Sequence, residues 1–337
     1  MKNALFFILF AVCWGCGSSS TEKHQNSRNK IVNIKNKIKE IEMEDILIGQ
    51  LCRIYTTSDY LIICDYKAFG EQIHLFDKNN FTHVTSTANK GQGPGEIANM
   101  GHIETNDTER LFYVSDHGKQ KIFAYKIDSL LAGSSYMPEE KMTMKEILFP
   151  SSYNYLNDTL SVGIIIEPIG NYGFNQSVAK FNMNTGNIEM MKYKHPEIER
   201  KRICFAVSAA HDIYVEGYSY HDLMTICSFD GDLKHNIYGT KWDNKTSNEF
   251  CYYQKVVFCK NKILASYSEG KHNFSNSEEK HPTKILIFNT DGDYIQTLET
   301  EYKIVDFCYD KDNNRIIMFL DEEIQLAYLD LDGILQK

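Results

Sequence analysis

Apolar residues in this chain gather in short runs, and each run stops at a turn. The stretch KILIFNTDGDYIQT, Lys284–Thr297, shows the unit plainly: an apolar strand, an Asp-Gly turn and a second strand. Two β-prone runs around Asp-Gly form a strong hairpin signal, because the turn between them needs positive φ and glycine accepts it. The same shape recurs. Apolar runs begin near Leu61, Leu111, Leu160, Ile213, Ile263 and Ile316, at separations of 50, 49, 53, 50 and 53 residues. Each is followed by another run that ends in a turn: IHLFDKNN, IFAYKIDS, VAKFNMNTGN, MTICSFDGD, ILIFNTDGD and IQLAYLDLDG. A further strand follows most turns, as in Phe81–Ser86, Ile188–Lys192, Leu233–Tyr238 and Tyr294–Leu298. Shorter runs ahead of the units, such as Leu51–Tyr55 and Ile304–Cys308, supply an innermost strand.

Four strands per unit and six units of about fifty residues predict an all-β fold, a six-bladed β-propeller with four-stranded antiparallel blades. The last unit has only the stub Gly333–Lys337 for its outer strand. Ile31–Ile41 alternates apolar and polar residues, so it is expected to pair onto the last blade as an N-terminal strand and close the ring, which removes an exposed edge. The second blade carries an insertion, Ile127–Leu131 and Ser134–Ile147, expected to be partly helical with Asp128 or Ser129 as its cap.

The first thirty residues follow another pattern. Met1-Lys2-Asn3 is a short basic start, and Ala4–Trp14 is an apolar run of signal-peptide length, too short to span a bilayer. Gly15-Cys16-Gly17 then resembles a bacterial lipobox. The resemblance implies that residues 1–15 are a signal peptide, that Cys16 is lipidated and that residues 16–30 tether a single propeller domain, 31–337, to a membrane. Trp14 departs from the usual motif and Cys13 is a competing cysteine. The expected location is the bacterial cell envelope, on the outer or inner membrane, facing periplasm or cell surface.

Composition narrows the function classes. The chain is 42% hydrophobic and 12% aromatic, enough for a large core. Its formal charge of −9, from 36 basic and 45 acidic residues, disfavours nucleic acid as a partner. The seven cysteines beyond Cys16 are irregularly spaced and lack a C-x-x-C pair, so they read as small buried hydrophobes rather than zinc ligands or a disulfide framework.

One motif stands out, Lys90-Gly91-Gln92-Gly93-Pro94-Gly95-Glu96, joining blades one and two. Three glycines in five positions imply backbone approach to something. The motif lacks the Gly-Lys-Ser/Thr of a P-loop. It reads either as a cradle of N–H groups for an anion, aided by Lys90, or as a structural loop beside the channel. With the lipobox and the fifty-residue blades, GQGPGE resembles the TolB-like six-bladed propeller lipoproteins of bacterial envelopes, which are similar in shape to NHL-repeat propellers. That resemblance implies the fold, membrane anchoring and a binding role.

In a propeller, the loop after the second strand and the loop leading into the next blade share a face. Acids close the second strand of every repeat: Asp65, Asp116, Glu167, Glu216, Glu269 and Asp321. Tyr66, His117, Tyr172, Tyr218, Tyr220, His221, Tyr267 and His272 accompany them. Carboxylates beside aromatic faces suit sugars; equally, polar residues end strands everywhere. The candidate ligand-binding set is therefore Lys90, Gln92, Glu96, Asp65, Asp116, His117, Glu167, Tyr218 and His221. The leading reading is a monomeric envelope propeller that binds a glycan or protein partner without catalysis. The alternative is a Ca²⁺-dependent hydrolase or lyase at the channel mouth, since Ca²⁺ takes six to eight oxygens; no metal-ligand set is singled out and no other cofactor is predicted. His211-Asp212 and His221-Asp222 read as loop residues rather than catalytic dyads, and Asp230-Gly231-Asp232 and Asp291-Gly292-Asp293 as hairpin turns.

Overall fold

Each repeat folds into one antiparallel sheet, and six such sheets stand around a central axis as a six-bladed β-propeller. The computed structural model describes residues 21–43, 46–133, 136–143, 150–169, 173–245, 250–269 and 281–335. The leader, Cys16, Tyr172 and His272 lie outside them.

From channel to rim, blade 1 comprises Cys52–Thr56, Tyr60–Asp65, Glu71–Asp77 and His83–Asn89. Blade 2 comprises Met100–Asn106, Leu111–Asp116, Lys121–Lys126 and Glu139–Thr143. Blade 3 is Pro150–Asn157, Leu160–Ile169, Gly173–Phe181 and Ile188–Met190. Blade 4 is Ile203–Ser208, Ile213–Tyr218, Leu223–Ser228 and Leu233–Tyr238. Blade 5 is Tyr253–Cys259, Lys262–Tyr267, Lys284–Asn289 and Tyr294–Glu299. Blade 6 is Ile304–Asp310, Arg315–Leu320, Leu326–Asp330 and, from the N-terminus, Lys39–Glu40.

The second strands are apolar almost without alternation because neighbouring blades cover both of their faces. Every pair of neighbouring blades shares one buried cluster. Ile62, Ile73 and Leu75 of blade 1 meet Phe112, Val114 and Tyr125 of blade 2. Leu264, Ile285 and Ile287 of blade 5 meet Phe307, Ile316 and Met318 of blade 6. Ile54, Leu61 and Ile63 of blade 1 meet Ile317 and Phe319 of blade 6, completing the circle. Cys52, Cys64, Cys227, Cys259 and Cys308 are buried in this packing, and none of the seven described cysteines forms a disulfide.

The N-terminal segment closes the ring more elaborately than its alternation predicts. Only Lys39–Glu40 pairs with the last blade, antiparallel to Ala327–Tyr328. Ile31–Asn33 instead adds a parallel fifth strand to the rim of blade 5, and Glu22–His24 does the same on blade 4. Residues 21–30, expected as part of a flexible tether, therefore run along the wall of the propeller.

The insertion in blade 2 also differs from expectation. Its helix is a short one, Ile127–Ala132, with Lys126 at the N-cap and no side-chain capping bond. Asp128 sits in the first turn and pairs with Arg110 instead. Of the described residues beyond it, Glu139–Thr143 is the outer strand of the blade rather than helix. The blade needed that strand, and its Met142 is buried against the third. The two Asp-Gly-Asp segments are turns, with Gly231 and Gly292 at φ 78° and 81°.

Candidate functional site

Two cavities open where the innermost strands and the inter-blade loops meet. The first fills the channel. The innermost strands are thin runs interrupted by polar residues: Arg53 in CRIYT, His102 and Glu104 in MGHIETN, Ser152 and Asn154 in blade 3, Gln254 and Lys255 in blade 5. These interruptions line a cavity of about 590 Å³ together with Tyr55, Tyr66, His117, Gln176 and Phe205. The volume is within the range of ordinary ligand sites.

Its polar groups are held in place. Asp306, almost fully buried, accepts the N–H of Ile54 at 2.9 Å and pairs with Lys255 Nζ at 3.0 Å. That Lys255 ammonium lies 5.7 Å from the centre of the Tyr55 ring. Glu104 accepts the N–H of Tyr155 at 3.1 Å and lies 3.3 Å from His102 Nε2, which donates to the carbonyl of Tyr153 at 2.7 Å. Tyr66 Oη donates to the carbonyl of Gly101 at 2.8 Å. A Cβ on Gly101 would meet His117 Nε2 at 2.5 Å, so the ring reaches the channel only because that residue is glycine. Burial pulls the His117 pKa below its ordinary 6.5 despite neighbouring Asp116.

The acids that end the second strands do share a face with the glycine loop, but in three blades their carboxylates turn inward. Asp65 accepts the N–H groups of Gly49 and Lys67 at 2.8 and 2.9 Å. Asp116, fully buried, accepts four, from Ala98, Asn99, Gly118 and Lys119. Glu216 pairs with Lys201 at 2.6 Å and accepts the Tyr218 hydroxyl at 3.0 Å, and both Glu216 and Tyr218 are buried. Each acid fastens the loop leading into its own blade, so Asp65, Asp116 and Tyr218 are engaged in the wall itself. Glu167 borders a crevice of about 70 Å³ between blades 3 and 4 with Lys194 and Lys201. His221 is buried, with Nδ1 3.1 Å from the Asp243 carbonyl and burial lowering its pKa.

The glycine loop does form a cradle, and its occupant is its own Glu96. Gly93 N–H donates to Glu96 Oε2 at 2.7 Å, and a Cβ on Gly91 would sit 2.0 Å from that oxygen. Lys119 Nζ clamps the loop through the carbonyls of Gly93 and Glu96, each at 2.8 Å. An anion bound in this cradle would have to displace Glu96. Lys90 and Gln92 stay exposed at the surface.

The second cavity, about 400 Å³, lies on the same face between blades 4 and 5 and is lined by Tyr220, Lys241, Asp243, Lys245, Phe250, Tyr252 and Glu269. Beneath it a buried ion pair joins Arg28 Nη1 to Asp222 Oδ1 at 2.9 Å. Tyr267 Oη donates to Asp222 Oδ2 at 3.0 Å, and Arg28 Nη2 donates to Tyr253 Oη at 2.9 Å. Among the described residues no three His, Cys, Asp or Glu side chains are grouped as metal ligands would be.

The channel residues carry no motif, which is why sequence patterns passed over them. Their one signal is local: a polar residue where a thin inner strand would otherwise read as apolar. Arg28 gave less, being a single arginine in a polar stretch.

Comparisons with known proteins agree on the fold. A family model described as a 6-bladed beta-propeller matches residues 30–163. A member of the duf4221 family from Bacteroides vulgatus is similar over 88% of this chain and 98% of its own, at 12% identity and TM-score 0.58. A Bacteroides fragilis protein described as exported is similar over 89% and 87%, at 12% identity and TM-score 0.54. A gluconolactonase from Xanthomonas campestris is similar over 80% and 82%, at 12% identity and TM-score 0.51. No curated protein matches the chain.

Proposed function

We propose that the chain is a non-catalytic binding propeller of the bacterial cell envelope, and that it takes an oxygen-rich ligand, a glycan end, into its channel. The observation that carries this reading is the cavity wall. Arg53, His117, Gln254 and Lys255 supply hydrogen-bond donors, while Tyr55 and Tyr66 supply ring surface. Donors pair with hydroxyl and carboxylate oxygens, and rings cover the apolar face of a sugar. The wall is also rigid, since Asp306, Glu104 and the Gly101 carbonyl fix Lys255, His102 and Tyr66. A prearranged wall spends little of its binding energy on ordering.

The test is an oligosaccharide array followed by titration calorimetry of the hits. Binding that falls at least tenfold in Lys255→Ala and Gln254→Ala supports the channel. No hit on the array, or hits indifferent to both changes, sinks it. Envelope anchoring rests on Ala4–Trp14 and Cys16, and on likeness in fold to a protein described as exported. Intact-mass measurement of the protein made in a bacterial host should give a chain that begins at a diacylated or triacylated Cys16. A mass corresponding to an uncleaved leader would reject anchoring.

A further inference from the structure

We infer that the cavity between blades 4 and 5 is a second binding site, built for a neutral pyranose sugar, and separate from the channel. The argument starts with its floor. Tyr252 is nearly buried, and its backbone ties both flanking turns: its N–H donates to the Ser219 carbonyl and its carbonyl accepts from Ser268, both at 2.8 Å. The first tie sets Tyr220 on one wall and the second sets Glu269 on the other. Phe250 stacks on Tyr252, with centroids 6.1 Å apart and planes 23° from parallel. Behind them Tyr252 packs on Tyr267 at 6.2 Å, and Tyr267 is held by Asp222. The aromatic surface is thus fixed from below by the Arg28–Asp222 pair.

The third side is the stretch Lys241–Lys245, anchored where the Lys241 N–H donates to Asp222 Oδ2 at 3.0 Å. Asp243 stays at the cavity because its carboxylate accepts the Lys245 N–H at 2.9 Å. The ammonium groups of Lys241 and Lys245 and the carboxylate of Glu269 make no ion pair or side-chain hydrogen bond among the described residues. Charged groups beside one another usually pair; here two cations and two anions surround an aromatic floor without pairing among the described residues.

The ligand class follows from that arrangement. Lysines donate only and carboxylates accept only, so the rim serves both halves of a hydroxyl's hydrogen-bonding capacity. Two positive and two negative charges cancel, so no net field favours an ionic ligand. A flat apolar floor under a polar, charge-balanced rim fits the C–H face and the equatorial hydroxyls of a neutral hexose. A volume of about 400 Å³ is adequate for such a ring.

The test uses the full mature chain and a panel of neutral oligosaccharides of glucose, mannose and galactose, read by saturation-transfer NMR and calorimetry. At least one should bind. Its affinity should fall at least tenfold in Phe250→Ala, and severalfold in Glu269→Gln, which removes charge at the cavity rim and leaves folding intact. The channel change Gln254→Ala should leave this binding unaltered, so failure of the channel reading and failure of this one are separable. If no member of the panel binds, or if binding survives both Phe250→Ala and Glu269→Gln, the inference falls.

Discussion

Arg28 shows how much one residue can decide here. Its guanidinium is buried against Asp222, and Tyr253 and Tyr267 close round the pair. Paired burial of this kind gives little net stability, but removing one partner strands the other in a place without water. Arg28→Ala should therefore destabilise the fold by about 3–5 kcal/mol in urea denaturation, while Lys35→Ala, which breaks the exposed pair with Glu301, should be indistinguishable from wild type. Equal effects of the two would contradict the burial argument. Sequence offered no way to this pair, because its members stand 194 positions apart, Arg28 ahead of the repeats and Asp222 in a loop of the fourth. Asp116 is the opposite case. Its place at the end of a second strand was plain from the repeat, yet its role was not. A strand-ending acid on a ligand rim and one that gathers four N–H groups look alike until the loop leading into the blade is in place. Glu96 teaches the same lesson, since a glycine loop built round its own carboxylate has the composition of one built round a foreign anion.

At the scale of elements, what repeats was legible and what does not repeat was not. The second and third strands of all six blades fall where the apolar runs lie, because those strands are covered on both faces and are mostly apolar. Outer strands are covered on one face only and carry a weaker signal, so Glu139–Thr143, reading Glu-Glu-Lys-Met-Thr, passed for part of an insertion. The N-terminal segment escaped for a related reason. Alternation over Ile31–Ile41 pointed to a strand, but three-residue parallel strands such as Ile31–Asn33 are too short to specify which blade they join. They matter nonetheless, because Glu22–His24 and Ile31–Asn33 cover the outer edges of two blades that would otherwise expose unpaired backbone. Deleting residues 21–24 takes away the added strand of blade 4 and keeps both Arg28 and Gln25, which accepts its Nε–H. It should lower Tm by roughly 2–4 °C, the shift expected for a loss of about 1 kcal/mol in a large domain. Hydrogen exchange should show where: amides of Leu233–Tyr238 should lose protection, and those of Tyr294–Glu299 in blade 5 and His83–Asn89 in blade 1 should not. Uniform loss across all blades would mean that the segment closes the ring without bracing a particular rim.

For the whole molecule, the ring's tight closure has a consequence for its response to acid. Blades packed face to face leave histidines in their seams. His74, His195 and His221 are 6%, 5% and 2% exposed, which places them out of reach of the water that would solvate a positive charge. With His117 at the channel, all four have pKa values drawn below the ordinary 6.5, burial being the largest cause in each. In the unfolded chain they return to 6.5. Between the folded and unfolded values the unfolded chain holds more protons, so stability rises with pH across that window. Above pH 6.5 the four are neutral in both states and the effect is complete; as pH falls below 6.5, protons bind the unfolded chain first and pull the equilibrium towards it. The buried carboxylate Asp310 does not compete in this range. Burial alone would raise its pKa, but hydrogen bonds from Asn313 and Lys78 outweigh that and hold it below 3.8, so its contribution is lost only in stronger acid. Thermal melts should therefore be level from pH 8 to 7 and decline steadily from 6.5 to 5, and the decline should be shallower in the double variant His195→Gln, His221→Gln. A melting temperature that holds constant down to pH 5, or a slope unchanged by both replacements, would place the acid response outside the seams between blades.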